Sequence, residues 1–210
     1  MPVITKFCGI LIFWLCIVSS DALISPGQAS PSSVDGISIQ GCEYSELKSV
    51  SEILFQSFYD EKTQRPPWKQ IYKLAELNRL QQNFPYQDTD MHQMLVAVED
   101  ESDMVVGFAD IDARPCKTKL KLPRPYLSDL CIHPDFRRRG IAHRLVQACE
   151  EFICQIPKQE LWIRVKEENV AAINMYKNLE YSLQGPCKEE DNILVLHKEL
   201  SDRKEPAVIL

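Results

Sequence analysis

Segments with helix periodicity alternate with segments with strand periodicity from about residue 37 to residue 200. Apolar residues that recur every three or four positions predict helices over 44–58, 68–80, 140–155 and 170–179. Runs rich in β-branched and aromatic residues predict strands at 37–39, 93–98, 104–113, 125–132, 160–165 and 193–196, and 181–183 is compatible with a further short strand. The order β-α-α-β-β-β-α-β-α-β predicts an α/β domain with a mixed sheet.

The glycine positions exclude three well-known site motifs. Only seven glycines occur in 210 residues, and no two of them lie two residues apart. This excludes the GxGxxG dinucleotide fingerprint, and the same positions exclude a GxSxG nucleophile elbow and a Walker P-loop. A formal charge of −6 argues against a surface that binds the phosphates of a nucleic-acid duplex. We therefore expect no nucleic-acid partner.

The N-terminal residues have the pattern of a targeting signal. An uncharged apolar run at 7–18 follows Lys6, and it is shorter than the roughly 18 to 20 residues that cross a membrane. The run predicts a signal peptide over 1–22, with an uncleaved signal anchor as the alternative and no membrane contact after cleavage. Residues 23–36 contain four Ser, two Pro and a single charge, which predicts a disordered linker or a transit-like segment. We expect one domain over 37–200 and a tail over 201–210.

The cysteine pattern bears on the compartment. Six cysteines lie outside the signal peptide, at 42, 116, 131, 149, 154 and 187, and no CxxC pair occurs among them. We therefore expect no metal site. Cys131, Cys149 and Cys154 lie in apolar patterns, where they would pack as small hydrophobic residues. A disulfide framework is the alternative to free thiols, but a chain of this length can form a core without one. Free thiols favour a reducing compartment.

The segment 134–144, PDFRRRGIAHR, carries the clearest binding signal. Three arginines at 137–139 precede Gly140, which opens a predicted helix. Backbone N–H groups and the positive end of a helix can converge on an anion at such a point, and glycine lets the backbone approach that anion closely. The pattern predicts a phosphate-binding loop. A basic cluster that only solvates the surface is the alternative.

Two motifs resemble the signatures of the GCN5-related N-acetyltransferase (GNAT) family. The sequence RxxGxA at 137–142 matches the [QR]xxGx[GA] signature, and NxxAxxxY at 169–176 is similar to a second signature at the usual distance. The resemblance implies a mixed, mostly antiparallel sheet that is flanked by helices and splays at the fourth strand. It also implies acetyl-CoA as co-substrate, no metal, and transfer of an acetyl group to an amine. Plastid protein N-acetyltransferases of this family are similar in layout.

The resemblance also implies a set of cofactor-binding residues. These are Leu130, Cys131, Ile132, Arg137, Arg138, Arg139, Gly140, Ile141, Ala142, His143, Asn169, Ala172 and Tyr176. In the family, the strand end pairs with the pantetheine arm like an added strand, and the loop amides surround the pyrophosphate. Tyr176 is the implied general acid, which returns a proton to the CoA thiolate. A core aromatic residue is the alternative role for Tyr176.

The general base is less well defined by the resemblance. Family members that acetylate protein N-termini often carry a Glu at the position of Arg164, and a guanidinium cannot accept a proton at neutral pH. Asp129 is then the best placed carboxylate and would act through water. A structural or substrate-binding Asp129, and a water chain without a dedicated base, are the alternatives. Cys131 has no identifiable His or Asp partner, so we interpret it as packing.

We therefore expect direct attack of a neutral amine on the thioester of acetyl-CoA, without an acyl-enzyme. The expected acceptor is a protein N-terminus or a lysine, with a small amine as an alternative. The competing hypothesis is an inactive module that only binds acyl-CoA. Because acetyl-CoA is used inside cells, a signal peptide on such an enzyme predicts a plastid reached through the secretory route, with the endoplasmic reticulum or Golgi lumen as the alternative.

Overall fold

A computed structural model of the chain describes residues 36–59, 67–115, 123–188 and 190–200. The predicted signal peptide at 1–22, the linker up to residue 35, and the tail at 201–210 lie outside the described residues, as does Cys116. Within the described ranges, no helix combines the length and the apolar character that crossing a membrane requires.

The elements follow the predicted order. They are β1 (Ile37–Gly41), α1 (Leu47–Phe58), α2 (Trp68–Asn83), β2 (His92–Glu99), β3 (Met104–Asp112), β4 (Tyr126–Ile132), α3 (Ile141–Ile153), β5 (Glu160–Lys166), α4 (Val170–Asn178), β6 (Ser182–Pro186) and β7 (Ile193–Glu199). Short 3₁₀ turns at Tyr44–Glu46 and Pro134–Phe136 precede α1 and α3. The order predicted from periodicity is therefore confirmed. The further short strand expected near 181–183 is present as β6.

The first predicted helix begins later than expected. Residues 44–46 form a 3₁₀ turn, and α1 begins only at Leu47. The reason is local, because the Glu46 side chain accepts a hydrogen bond of 2.6 Å from the Glu43 backbone N–H. That contact holds residues 44–46 in a 3₁₀ turn, so the α-helix starts only after it.

The strands form one sheet of seven, in the order β1-β2-β3-β4-β5-β7-β6. Every neighbouring pair is antiparallel except β4 and β5. That parallel pair holds only two register positions, Tyr126 with Trp162 and Leu127 with Ile163. The strands therefore separate beyond Leu127, and the mixed, mostly antiparallel sheet with a splay at the fourth strand is confirmed.

Two cores lie on opposite faces of the sheet. One includes Leu145 and Ile153 of α3, which are fully buried together with side chains of α4 and β5. The other packs Leu54 of α1 and Leu80 of α2 against β2, β3 and β4. Burying one such side chain contributes about 1.5–3 kcal/mol to folding stability. The helix pairs α1–α2 and α3–α4 therefore stabilise the sheet, each on one face. The end of β4, where the splay opens, therefore has packed helices on each face.

The cysteines of the described part are free thiols. Cys131 and Cys149 are buried, whereas Cys42, Cys154 and Cys187 are half-buried. Cys149 packs in the α3 core and Cys131 in the α1–α2 core. Both therefore pack as small hydrophobic residues, as their sequence context predicts.

Candidate active site

A bulge in β4 reorients the residues that precede the splay. In the register with β3, Asp110 opposes Asp129 and Ile111 opposes Leu127, so Ser128 is an extra residue on β4. The Ser128 hydroxyl donates to the Asp110 carboxylate at 2.9 Å and to the Asp110 carbonyl oxygen at 3.2 Å. A bulge interrupts the two-residue alternation of a strand. It brings Ser128 and Asp129 together at the wall of one cavity.

The bulge is anchored by a buried polar network. His92 Nε2 lies 2.6 Å from Asp110 Oδ1, and both side chains are at least 98% buried. The Asn83 side chain donates to Asp110 Oδ2 at 3.3 Å. A buried carboxylate with this number of partners resists displacement. His92 and Asp110 therefore fix the backbone that carries Ser128 and Asp129.

A cavity of about 370 Å³ opens beside the bulge, between α1, α2 and β4. Its lining is apolar on one side and charged on the other, and consists of Leu54, Phe58, Tyr59, Glu76, Arg79, Ser128 and Asp129. The Arg79 guanidinium bridges two carboxylates, with Nη2 at 2.9 Å from Asp129 Oδ2 and Nε at 2.8 Å from Glu76 Oε2. The Tyr59 hydroxyl donates to Glu76 Oε1 at 2.7 Å. Two carboxylates and one guanidinium give the wall a net negative charge.

Burial shapes the acid–base behaviour of Asp129. Desolvation raises the pKa of its carboxyl from 3.8 to about 6, although the Arg79 guanidinium works against the rise. The carboxylate is therefore mostly ionised at neutral pH, and its affinity for a proton is well above that of an exposed aspartate. Such a group can accept a proton directly or through a water molecule.

The loop after β4 turns sharply into α3. Arg138 and Gly140 both have positive φ, of 66° and 76°, and Gly140 is the N-cap of α3 without a side-chain cap. The first N–H that bonds back to the loop is that of Arg144, which donates to the Gly140 carbonyl oxygen at 3.1 Å. The three N–H groups before it, at 141–143, have no acceptor within the helix. Open amides at a helix start are the backbone feature that binds anions in proteins.

The arginines of the loop are exposed, and two of them lie against it. Arg137 Nε donates to the Ile132 carbonyl oxygen at 3.3 Å. The Arg139 guanidinium lies 4.6 Å from the centre of the Phe136 ring and donates to the Asp135 carbonyl oxygen at 3.4 Å. Two of the positive charges are therefore held against residues 132–136, which precede the start of α3.

The outer edge of β4 faces the splay. On their inner edge, Leu130, Cys131 and Ile132 are in register with Ala109, Phe108 and Gly107 of β3. A Cβ on Gly107 would lie 2.9 Å from Ile132 Cδ1 and 3.2 Å from Ala97 Cβ, so a larger residue would displace the Ile132 side chain. Beyond Leu127 the register with β5 has ended. The backbone of 130–132 can therefore pair with an extended ligand in the gap.

Asn169 and Tyr176 are both positioned by α4. The Asn169 side chain caps the helix, because Oδ1 accepts from the Ala172 backbone N–H at 3.2 Å. This bond gives Asn169 a local structural role as the N-cap of α4. Tyr176 is buried, with its ring 5.6 Å from that of Tyr181. Desolvation by burial raises the pKa of its phenol, which therefore keeps its proton.

Arg164 projects from β5 beside the splay. Its Nε donates to the Tyr126 hydroxyl at 3.3 Å, Nη1 lies 3.5 Å from Cys187 Sγ, and Nη2 lies 3.4 Å from Glu190 Oε1. Burial acts to lower the pKa of the guanidinium, but the hydrogen bond to Tyr126 and the nearby Glu190 carboxylate raise it above its usual value. Arg164 therefore stays charged and cannot serve as a base.

Cys131 is in a poor environment for a nucleophile. Its side chain is buried in the α1–α2 core, and desolvation, followed by the nearby Asp129 charge, raises the pKa of the thiol well above its ordinary value. The thiolate is the reactive form of cysteine. The geometry thus agrees with a packing role.

Residues 47–181 match the sequence profile described as "Acetyltransferase (GNAT) family". The chain belongs to the GNAT family. That match covers both sequence motifs, the β4 bulge and the splay. In the part of this GNAT chain that the structure describes, no group of three or more His, Cys, Asp or Glu side chains could hold a metal ion.

Curated relatives are similar to short parts of the chain. "Acetyltransferase SG1711" of Sodalis glossinidius is 36% identical over 76 residues, which are 36% of this chain and 49% of the relative. "GCN5-related N-acetyltransferase 5, chloroplastic" of Arabidopsis thaliana is 36% identical over 73 residues, which are 34% of this chain and 22% of the relative. The matched segments thus span about half or less of these curated relatives.

Solved structures share the fold over most of the chain. The ribosomal-protein-S5-alanine acetyltransferase of Vibrio fischeri has a TM-score of 0.62 at 11% identity, covering 84% of this chain and all of the other. A putative acetyltransferase of Salmonella typhimurium, yncA, solved with acetyl-CoA, has a TM-score of 0.58 at 13% identity, covering 83% of this chain and 99% of the other. At these identities the likeness shows the GNAT fold.

The GNAT fold brings most of the sequence-predicted site residues to one end of β4. Leu130, Cys131 and Ile132 end that strand, 137–143 form the loop and the start of α3, and Asp129 lies at the bulge. Sequence patterns did not identify Arg79, the partner of Asp129, or Glu76 and Tyr59, which extend the network from Arg79. These residues lie on or next to helices without a motif, and only tertiary packing brings them to the cavity. The i, i+3 spacing of Glu76 and Arg79 was the one signal available.

Proposed function

We propose that this GNAT protein transfers an acetyl group from acetyl-CoA to a primary amine. The observation that carries the proposal is the juxtaposition of three features at one end of β4. These are the uncapped start of α3, the splay between β4 and β5, and a cavity that contains an ionised carboxylate. A nucleotide cofactor with a pyrophosphate and an extended arm fits the first two features, and an amine fits the third.

The proposed acetyl-CoA site uses this chain's own backbone. The amides of 137–143 would hold the pyrophosphate, with the exposed arginines adding positive charge. The edge of 130–132 that faces the splay would pair with the pantetheine arm. Asn169 and Ala172 would lie beside that arm at the start of α4. The acetyl-CoA in the Salmonella structure, which shares the fold, supports this cofactor.

The proposed chemistry divides acid and base between two side chains. The amine nitrogen attacks the thioester carbon, a tetrahedral intermediate forms, and the C–S bond then breaks. Asp129 accepts the proton that the nitrogen loses, through water, and its pKa of about 6 suits that task. Tyr176, whose phenol stays protonated, donates a proton to the departing CoA thiolate. The products are an acetylated amine and free CoA.

The proposed acceptor is a protein N-terminus or a lysine side chain. The cavity beside Asp129 is open and has a negatively charged wall, which favours a cationic amine before it loses its proton. Phe58 is 56% exposed at the cavity, and this apolar surface favours contacts with a peptide beyond the amine.

The direct test is incubation of the purified full chain with acetyl-CoA and a peptide library, with acetylated positions read by mass spectrometry. Acetylation at α-amino or lysine nitrogens supports the proposal. Binding of acetyl-CoA without transfer to any peptide or small amine would instead indicate a module that only binds acyl-CoA.

We further propose that the protein acts in a plastid reached through the secretory route. The chloroplastic relative and the free thiols of the described residues support this location. A fusion of residues 1–40 to a fluorescent protein, expressed in the source organism, tests it. Fluorescence in the reticulum or medium and none in plastids would contradict the plastid proposal and leave the enzymatic one intact.

A further inference from the structure

Arg164 lies across the splay from the bulge that carries Asp129. On β5, Trp162 and Ile163 pair with Tyr126 and Leu127 of β4, so Arg164 is the next residue and stands where the strands separate. The alternate residues of β5, including Ile163, are buried in the α3 core. Because side chains alternate along a strand, Arg164 projects to the opposite face, where its Nε contacts the Tyr126 hydroxyl.

Tyr126 links Arg164 to the strand that carries part of the cavity wall. It is buried at the start of β4, accepts a hydrogen bond from Arg164 Nε, and lies two residues before Ser128 of that wall. Ser128 follows Leu127 just as Arg164 follows its register partner Ile163, so Arg164 stands across the splay from Ser128. An acceptor whose amine reaches Asp129 can therefore extend toward Arg164.

The guanidinium retains capacity for a ligand. Arginine has five N–H donors in a fixed fork, whereas the three contacts of Arg164 are all between 3.3 and 3.5 Å. One of them is with the carboxylate of Glu190, whose side chain is 48% exposed. A bidentate carboxylate at about 2.7–2.9 Å makes shorter and stronger bonds than these. A ligand carboxylate can therefore replace the solvated Glu190.

We propose that Arg164 binds a carboxylate of the acetyl acceptor, so that the protein selects amines that carry a carboxylate close to the reacting nitrogen. The inference rests on the proposed acetyl transfer and specifies its acceptor. An acidic residue near a peptide N-terminus and the carboxyl group of a free amino acid share this chemistry. In a peptide acceptor, the acidic residue occupies the first or second position of the chain.

The experiment compares two peptides that differ only in one carboxylate, and adds a free amino acid. Two peptides with a free N-terminal Ser carry Asp or Asn at the second position, and free aspartate is the third acceptor. For the wild-type full chain we expect kcat/KM to be at least about 10-fold higher for the Asp peptide, the usual value of a charge-assisted bond. Arg164→Gln should remove that preference mainly through KM, and Arg164→Lys should restore part of it.

A matched control lies on the same strand. Lys166→Gln removes the same charge two residues further along, where the side chain is 66% exposed, and should keep the preference for the Asp peptide. Glu190→Gln changes an exposed side chain that competes for the guanidinium, so it should lower KM for the Asp peptide and leave the Asn peptide unchanged.

The outcomes separate the inference from the function on which it rests. Equal kcat/KM for the two peptides and no Arg164-dependent acetylation of aspartate would overturn the carboxylate site and leave acetyl transfer standing. A parallel loss for both peptides in Arg164→Gln would also overturn it. Arg164-dependent transfer to aspartate alone would support the site and assign it to a small acceptor. No transfer to any acceptor would overturn both proposals.

Discussion

The stability of the folded protein should depend on pH through the buried carboxyl group of Asp129. Burial raises the pKa of this carboxyl from 3.8 to about 6 in the folded protein. The folded state therefore binds a proton more tightly than the unfolded state, so ionisation of Asp129 reduces stability as the pH rises between these values. At 1.36 kcal/mol per pKa unit, ionisation of Asp129 lowers the free energy of unfolding at pH 8 by about 3 kcal/mol relative to the fully protonated protein. At pH 5 the free energy of unfolding is lowered by about half as much.

The substitution Asp129→Asn keeps the shape of the side chain and removes its ionisation. We expect the stability of the variant relative to wild type to be greater at pH 8 than at pH 5, by about 1.5 kcal/mol. Urea unfolding of both proteins at the two pH values measures this difference. Asp90→Asn removes an exposed carboxylate and controls for the change in net charge. A stability difference that is the same at both pH values, or larger at pH 5, would refute the buried-carboxylate account.

Three further predictions concern the same end of β4. If Asp129 is the base, kcat/KM should fall below an apparent pKa near 6 in the pH profile of the wild type, and a flat profile would reassign the residue to structure. Arg79→Gln removes the cation that opposes the raised pKa, so the acidic limb should move to higher pH; no movement, or movement to lower pH, would contradict the ion pair. Tyr176→Phe should lower kcat about 10²-fold with little change in acetyl-CoA affinity, and an unchanged rate in a chemistry-limited assay would leave Tyr176 as a core residue.

The features that were predicted correctly are those that depend on the spacing of residues close together in the sequence. Helix and strand periodicity predicted the order of the elements, because each buries a face that its own residues define. Gly140 was predicted to open a helix and is the N-cap of α3, whereas the binding of an anion by this loop stays a prediction. The start of α1 was wrong by three residues, since a single contact of Glu46 with the chain before it decides that boundary.

The features that the sequence did not reveal depend on register and packing. The extra residue at Ser128 is defined only by how β4 pairs with β3. The ion pair of Arg79 with Asp129 joins residues 50 positions apart and requires α2 to pack over β4. His92 and Asp110 are unremarkable in the sequence and form a buried pair only through the pairing of β2 with β3.

The proposed function requires acetyl-CoA to bind at the uncapped start of α3. Titration calorimetry of acetyl-CoA into the full chain, comparing wild type, Gly140→Asp and Gly36→Asp, tests this binding site. Both glycines have similar positive φ, 76° and 71°, and open space around a new Cβ, so backbone strain is matched. We predict that Gly140→Asp weakens binding by at least about 2 kcal/mol, roughly 30-fold in Kd, because its carboxylate repels the pyrophosphate, while Gly36→Asp binds like wild type. Equal affinity of all three proteins would contradict the claim.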